Sequence, residues 1–166
     1  MKKLTNFLIK IRRKINNKTL NEYKSIWNFE KSENPILKLD TDYFDVSILK
    51  SNHKLLIYFS NRGKNCIDLG IFSLDDMKLY NKFSVLFGEK NTWSENINRP
   101  CVIKLKTEYY MWFTGQIREN SCIGFAKSID GIFWTIKENP IIIPEESFEK
   151  NAVMNPCVIY DNKFGI

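Results

Sequence analysis

One recurring pattern constrains this chain more than anything else in it. Arg99-Pro100-Cys101-Val102-Ile103 returns 56 residues later as Asn155-Pro156-Cys157-Val158-Ile159. Phe59-Ser60 in KLLIYFS and Phe113-Thr114 in YYMWFTG stand 54 apart, and IFSLDD (71–76) and AKSIDG (126–131) stand 55 apart. Asn34-Pro35-Ile36-Leu37 has a counterpart in Asn139-Pro140-Ile141-Ile142, each a few residues after a tryptophan, Trp27 and Trp134. Self-similarity at a fixed period means that one supersecondary unit is used again and stacked on its copy.

The unit is built of strands. From about residue 40 the chain falls into short apolar or alternating runs: VSILK (46–50), KLLIYFS (54–60), CIDLGIFS (66–73), CVIKL (101–105), YYMWFTG (109–115), CIGFAKS (122–128), IFWTIK (132–137) and CVIY (157–160). Their β-branched and aromatic residues suit a pleated, half-buried surface. Lys50-Ser51-Asn52-His53, Lys106-Thr107, Asp130-Gly131 and Asp161-Asn162-Lys163 are the turns between them. Asp130-Gly131 carries a hairpin signal, because glycine accepts the positive φ such turns require. Only residues 3–24 have a helical look, so a parallel α/β sheet with its crossover helices is excluded. Four antiparallel strands in roughly 55 residues describe one blade of a β-propeller. We expect all-β blades near 45–80 and 99–137 and the start of a third at 155–166. A two-sheet sandwich is the competing arrangement.

A propeller closes with at least four blades, which at ~55 residues each needs more than about 220. This chain has 166. The expectation is therefore an incomplete propeller: a truncated or frameshifted product, or a piece that associates with itself or a complementing chain through an open blade edge. No apolar run approaches the ~20 residues of a membrane-spanning helix. The net charge of +6 is concentrated in residues 1–20, which hold seven basic and no acidic residues, leaving 18 basic and 19 acidic in the rest. Residues 1–24 thus form a basic arm and residues 25–166 the propeller domain. The arm does not read as an export signal, since Lys10 breaks its apolar stretch and Arg12-Arg13-Lys14 stand where a cleavage site belongs. A cytoplasmic protein with reduced thiols follows. Specific nucleic-acid binding is not expected of a body that lacks a basic face.

The repeats also carry a resemblance. NRPCVIKLKTEYYMWFTGQ (98–116), IGFAKSIDGIFWTIKENPIIIP (123–144) and FEKNAVMNPCVIYD (148–161) resemble the five-bladed propeller glycoside hydrolases, the superfamily of families 32, 43, 68 and 130, and most of all a bacterial family 43-like branch. The resemblance spans about residues 27–166. It implies first strands that surround a central funnel, and hydrolysis, phosphorolysis or transfer at glycosidic bonds. An oligosaccharide or polysaccharide would be the partner, with no organic cofactor.

Alignment of the repeats puts Asp45, Arg99 and Asn155 at one position, at the head of each innermost strand. Loop polarity at a strand start is the plain alternative. Glycosidic cleavage ordinarily uses two carboxyl groups. The resemblance gives Asp45 the role of nucleophile or base; at the funnel mouth Arg62 or Arg99 would be the cation that keeps it ionised. Arg99 and Asn155 stand where better-known members more often have an aspartate, and no glutamate supplies the general acid; Glu95 is the nearest substitute. Arg62, Asn98, Arg99, Gln116 and Asn155 are the expected substrate-binding residues, the amides offering both donor and acceptor to hydroxyls. Trp112 and Trp134 are assigned to packing.

Other chemistry is thin. Cys101 and Cys157 are repeat-equivalent, as roughly are Cys66 and Cys122, which describes one small side chain per matching strand and not the close pairing of a zinc site. His53, the single histidine, lies in a turn. Two functions fit: a glycoside hydrolase-like protein that is inactive alone, or a non-catalytic carbohydrate-binding or scaffold propeller.

Overall fold

The computed structural model describes residues 42–161. Contacts divide the chain between Ile36 and Leu37, so everything described belongs to the second unit. The basic arm lies outside the described residues.

Two four-stranded antiparallel sheets follow one another along the chain. The first contains β1 (Tyr43–Ser51), β2 (Lys54–Asn61), β3 (Cys66–Ser73) and β4 (Lys78–Phe87); the second contains β5 (Asn96–Leu105), β6 (Glu108–Ile117), β7 (Asn120–Ser128) and β8 (Thr135–Ile136). Each is a meander in chain order. Apart from a single 3-10 turn at Ser147–Glu149, no helix occurs among the described residues.

The way equivalent residues face decides between propeller and sandwich. Tyr58 of β2 joins the core between the sheets, with Ile67, Leu69, Met111, Phe113 and Ala126. Its repeat-equivalent, Trp112, lies on the opposite face of the second sheet against Phe125. Phe113 points into the shared core, whereas its equivalent Phe59 turns away into a separate cluster with Ile57 and Phe72. Like faces therefore point the same way. A two-fold sandwich would set them against each other; a head-to-tail repeat is what stacked blades require. Both sheets are apolar on both faces, as blades between neighbours must be. The fold is that of an incomplete propeller of four-stranded blades.

Two contacts hold the sheets in this relation, and both recur. The Arg99 N–H donates to Ser60 Oγ at 2.8 Å, and the Asn155 N–H donates to Thr114 Oγ1 at 3.1 Å. The Val102 N–H donates to Ser47 Oγ at 2.9 Å, and the Val158 N–H reaches Cys101 Sγ at 3.2 Å. The segment around Asn155 thus stands to the second sheet as β5 stands to the first. Tyr58 adds a further tie, its hydroxyl donating to the Gly131 carbonyl at 3.0 Å. Burial, then the neighbouring Tyr109 and Asp130, push that phenol far above its ordinary pKa.

Three strand expectations need correction. The run 132–137 contributes only Thr135–Ile136. Asp130-Gly131 does not make a tight hairpin: Asp130 Oδ1 accepts the amides of Ile132 and Phe133 at 2.8 and 2.9 Å, which winds the chain into a longer loop. Gly131 does take the positive φ, at 77°. Past β8 the edge of β7 is paired in pieces, Ile123 with Ile142 and Ser121 with Ala152. Pro140 and Pro144 explain the interruption, since proline lacks the donor a continuous strand needs. Finally, 157–160 carries no assigned strand. The third-strand offset also differs: Cys66 pairs with Asn61 and Cys122 with Gly115, which makes it 56 and not 55. The longer β6–β7 hairpin absorbs the difference.

Candidate functional site

The heads of the innermost strands share one distortion. Pairing slips between Phe44 and Val46 in β1 and between Asn98 and Cys101 in β5, so both strands bulge there. The extra residue sits in the left-handed region each time: φ is 48° at Asp45 and 55° at Arg99, and Asn155 follows at 61°. Asp and Asn tolerate this conformation and an arginine seldom adopts it. A bulge re-aims the side chain it carries. The polar residues that alignment places together are thus presented by one backbone device, repeated. The Ser60 hydroxyl takes the Arg99 amide that the β5 bulge leaves without a ladder partner, and Thr114 takes the amide of Asn155, which shares the left-handed conformation. Sequence reasoning registered these two only as marks of the repeat.

Arg99 makes the connection between the heads. Its Nε stands 3.5 Å from Asp45 Oδ2, with side-chain exposures of 27% and 40%. Its Nη1 donates to Asn98 Oδ1 at 2.8 Å, and Asn98 Nδ2 donates to Gln116 Oε1 at 2.7 Å. Arg99, and not Arg62, is therefore the partner of Asp45. The Arg62 guanidinium lies over the Phe44 ring, 4.8 Å from its centroid.

Together these groups border a polar cleft of about 200 Å³ between the sheets, lined by Asn61, Arg62 and Asn65 on one side and by Asn96, Asn98, Arg99 and Gln116 on the other. Four of the expected binding residues, Arg62, Asn98, Arg99 and Gln116, meet there. Asp45 touches the cleft only through Arg99, and Asn155 is exposed outside its lining. Glu95 does not line it either; its carboxylate accepts the Asn91 amide at 2.9 Å. His53 pairs at 3.1 Å with Asp75 on the exposed surface. Trp112 packs on Phe125 and borders a separate, apolar depression with Ile136 and Ile141.

Behind the cleft lies a buried group that sequence reasoning missed. Asp68 is 2% exposed and accepts from Asn61 Nδ2 at 2.9 Å, from Tyr43 OH at 3.2 Å and from the Cys66 thiol at 3.2 Å. Burial is the largest single influence and raises its pKa. Hydrogen bonds from Ser84, Asn61, Cys66 and Tyr43 outweigh it, so the net shift is downward. Burial also raises the Cys66 thiol to about 11. Asp68 fixes Asn61 at the cleft wall; an acid inside a strand of apolar residues was the available signal. Among the described residues no cluster of three His, Cys, Asp or Glu side chains forms a metal site, and no helix is long and apolar enough to cross a membrane.

No family model and no curated protein matches this sequence. The likeness appears in three dimensions. An endo-1,4-beta-xylanase from Bacteroides thetaiotaomicron superposes with a TM-score of 0.59 and 17% identity, over 72% of this chain and 44% of its own. Beta-1,2-mannobiose phosphorylase from Listeria innocua gives 0.58 and 19%, over 69% of this chain and 36% of its own. A thermostable family-43 glycoside hydrolase gives 0.52 and 19%, over 65% and 41%. The chain spans less than half the length of each of these. The shared architecture is the β-propeller on which these glycoside hydrolases and this phosphorylase are built, and residues 42–161 have its fold.

Proposed function

We propose that this is a glycoside hydrolase-like protein whose cleft at the strand heads takes a saccharide. The single observation that carries this reading is the convergence of Arg62, Asn98, Arg99 and Gln116 on one polar cleft, next to the Asp45–Arg99 pair. Fold alone does not assign a function; donors on rigid strands beside a carboxylate do suit a polyhydroxyl ligand. In this reading Asp45 is the nucleophile or base, Arg99 positions it, and Asn98, Gln116 and Arg62 hold the sugar. Asn155 presents a third polar head to the same axis. The protein works in the cytoplasm, where its four cysteines remain thiols.

A specific observation favours non-catalytic binding as the second reading. Among the described residues no carboxylate lines the cleft, and Asp45 beside it is already paired. Cleavage needs a second carboxyl group, so the 166-residue chain is expected to bind without turning over. Calorimetric titration with a panel of neutral and acidic oligosaccharides, alongside aryl-glycoside assays, tests both readings. Binding by at least one glycan class supports the proposal, and its absence across the panel refutes it. Should turnover be found, Asp45→Asn is expected to abolish it at an unchanged melting temperature; turnover undiminished in D45N removes Asp45 from the mechanism.

A further inference from the structure

The hydrogen-bond polarity of the cleft points to more than a sugar. A guanidinium can only donate. Because Arg99 Nη1 donates to Asn98, the Asn98 atom facing it is the oxygen, and its amide nitrogen must then face Gln116. That nitrogen donates to Gln116 Oε1, so the free end of Gln116 is its NH₂. Arg99 thus orients both amides, and the oxygens of Asn98 and Gln116 each already accept one hydrogen bond within the chain of contacts. At this end the cleft offers donors: the Gln116 amide nitrogen, the second Nη of Arg99 and the Arg62 fork.

Charge reinforces this. Two arginines line the cleft and, among the described residues, no acid does. Asp45 meets Arg99, but among the described residues no carboxylate pairs with Arg62, whose guanidinium lies over the Phe44 ring at 4.8 Å from its centroid. The planar guanidinium fork matches the geometry of a carboxylate or a phosphate. We infer that the cleft selects a glycan bearing an anionic group, a sugar carboxylate or a sugar phosphate, with Arg62 as the specificity-determining residue. This rests on the saccharide reading above.

The test uses the full 166-residue chain in titrations at low and high salt. The probes are a galacturonic acid trisaccharide against its neutral galactose counterpart, mannose 6-phosphate against mannose, and inorganic phosphate alone. At least one anionic probe is expected to bind about tenfold or more tighter than its neutral partner, as a charge-assisted contact implies. The preference shrinks at high salt, and the trisaccharide and the phosphate arms distinguish the two anions. Arg62→Gln, at an exposed turn position, is expected to fold normally and to bring anionic and neutral probes to equal affinity, with R62K in between. Neutral probes binding as well as anionic ones would overturn the inference while leaving the saccharide reading intact. Inorganic phosphate binding as tightly as mannose 6-phosphate would overturn the claim that a sugar carries the anion. An unchanged preference in R62Q would overturn the role of Arg62. Failure of every probe would overturn both readings.

Discussion

Removal of one hydroxyl, in Ser60→Ala, should loosen the contact between the two sheets by an amount the structure lets us bound. Ser60 is 0% exposed, and its Oγ accepts the Arg99 amide at 2.8 Å. That amide has no ladder partner, because pairing passes from Asn98 directly to Cys101. Alanine removes the acceptor with little change of volume, and a buried donor left unpaired costs about 1–3 kcal/mol. Arg99 is half-buried, so some water reaches it and about 1–2 kcal/mol is the expected loss. Ser73→Ala is the control: its hydroxyl accepts the Asp75 amide at the surface, at 3.3 Å, and should cost less than about 0.5 kcal/mol. Urea unfolding with an unchanged slope reads both. S60A and S73A losing the same small amount would refute the idea that the bulge amide depends on its neighbour.

The same packing and hydrogen bonding set three further outcomes. Gly124→Ala would place a Cβ 2.5 Å from Phe113 Cζ and 2.7 Å from Trp93 Cη2, so thermal or urea melts should show about 1–3 kcal/mol of overpacking loss. Asp68 has a folded-state pKa below its unfolded one; its stabilisation is present at neutral pH and is lost as pH falls from about 4 through the folded value. Asp68→Asn should flatten the stability profile in that window, and an unchanged profile would rule this out. A thiol reagent at neutral pH should label exposed Cys157 readily while buried Cys66, its pKa raised to about 11, stays unmodified until unfolding.

The parts of this fold that could be read in sequence are those where one residue serves two purposes. Phe59-Ser60 and Phe113-Thr114 stand out as a repeat because each pair couples a core ring to the hydroxyl that takes the amide of the next polar head. The polar heads Asp45, Arg99 and Asn155 were legible for the same reason: one backbone conformation recurs. β4 was not among the clear strands, since KLYNKFSVLF lies largely toward solvent and its pattern carries little apolar alternation. β8 was overestimated because apolar composition in 132–137 says nothing of an aspartate that gathers two amides ahead of it. The partner of Asp45 depends on where a bulge aims the Arg99 side chain, which spacing does not encode, and Arg62 was an equal candidate on that ground. Asp68 escaped notice because its neighbours come from three other strands.

The head-to-tail relation of the sheets gives each an inner and an outer surface that differ in kind, Phe59 and Phe113 on one and Tyr58 and Trp112 on the other. A contact of this sort has direction, like a link that hooks only onto the eye of the next, and nothing in it stops at two. Gene duplication could therefore lengthen such a protein by whole units without inventing a new interface, because every added sheet arrives with the Ser or Thr that receives its successor. The same rule makes errors heritable along the row: a substitution that alters the link at one boundary changes where every later unit sits, and with it the alignment of polar heads about a common axis.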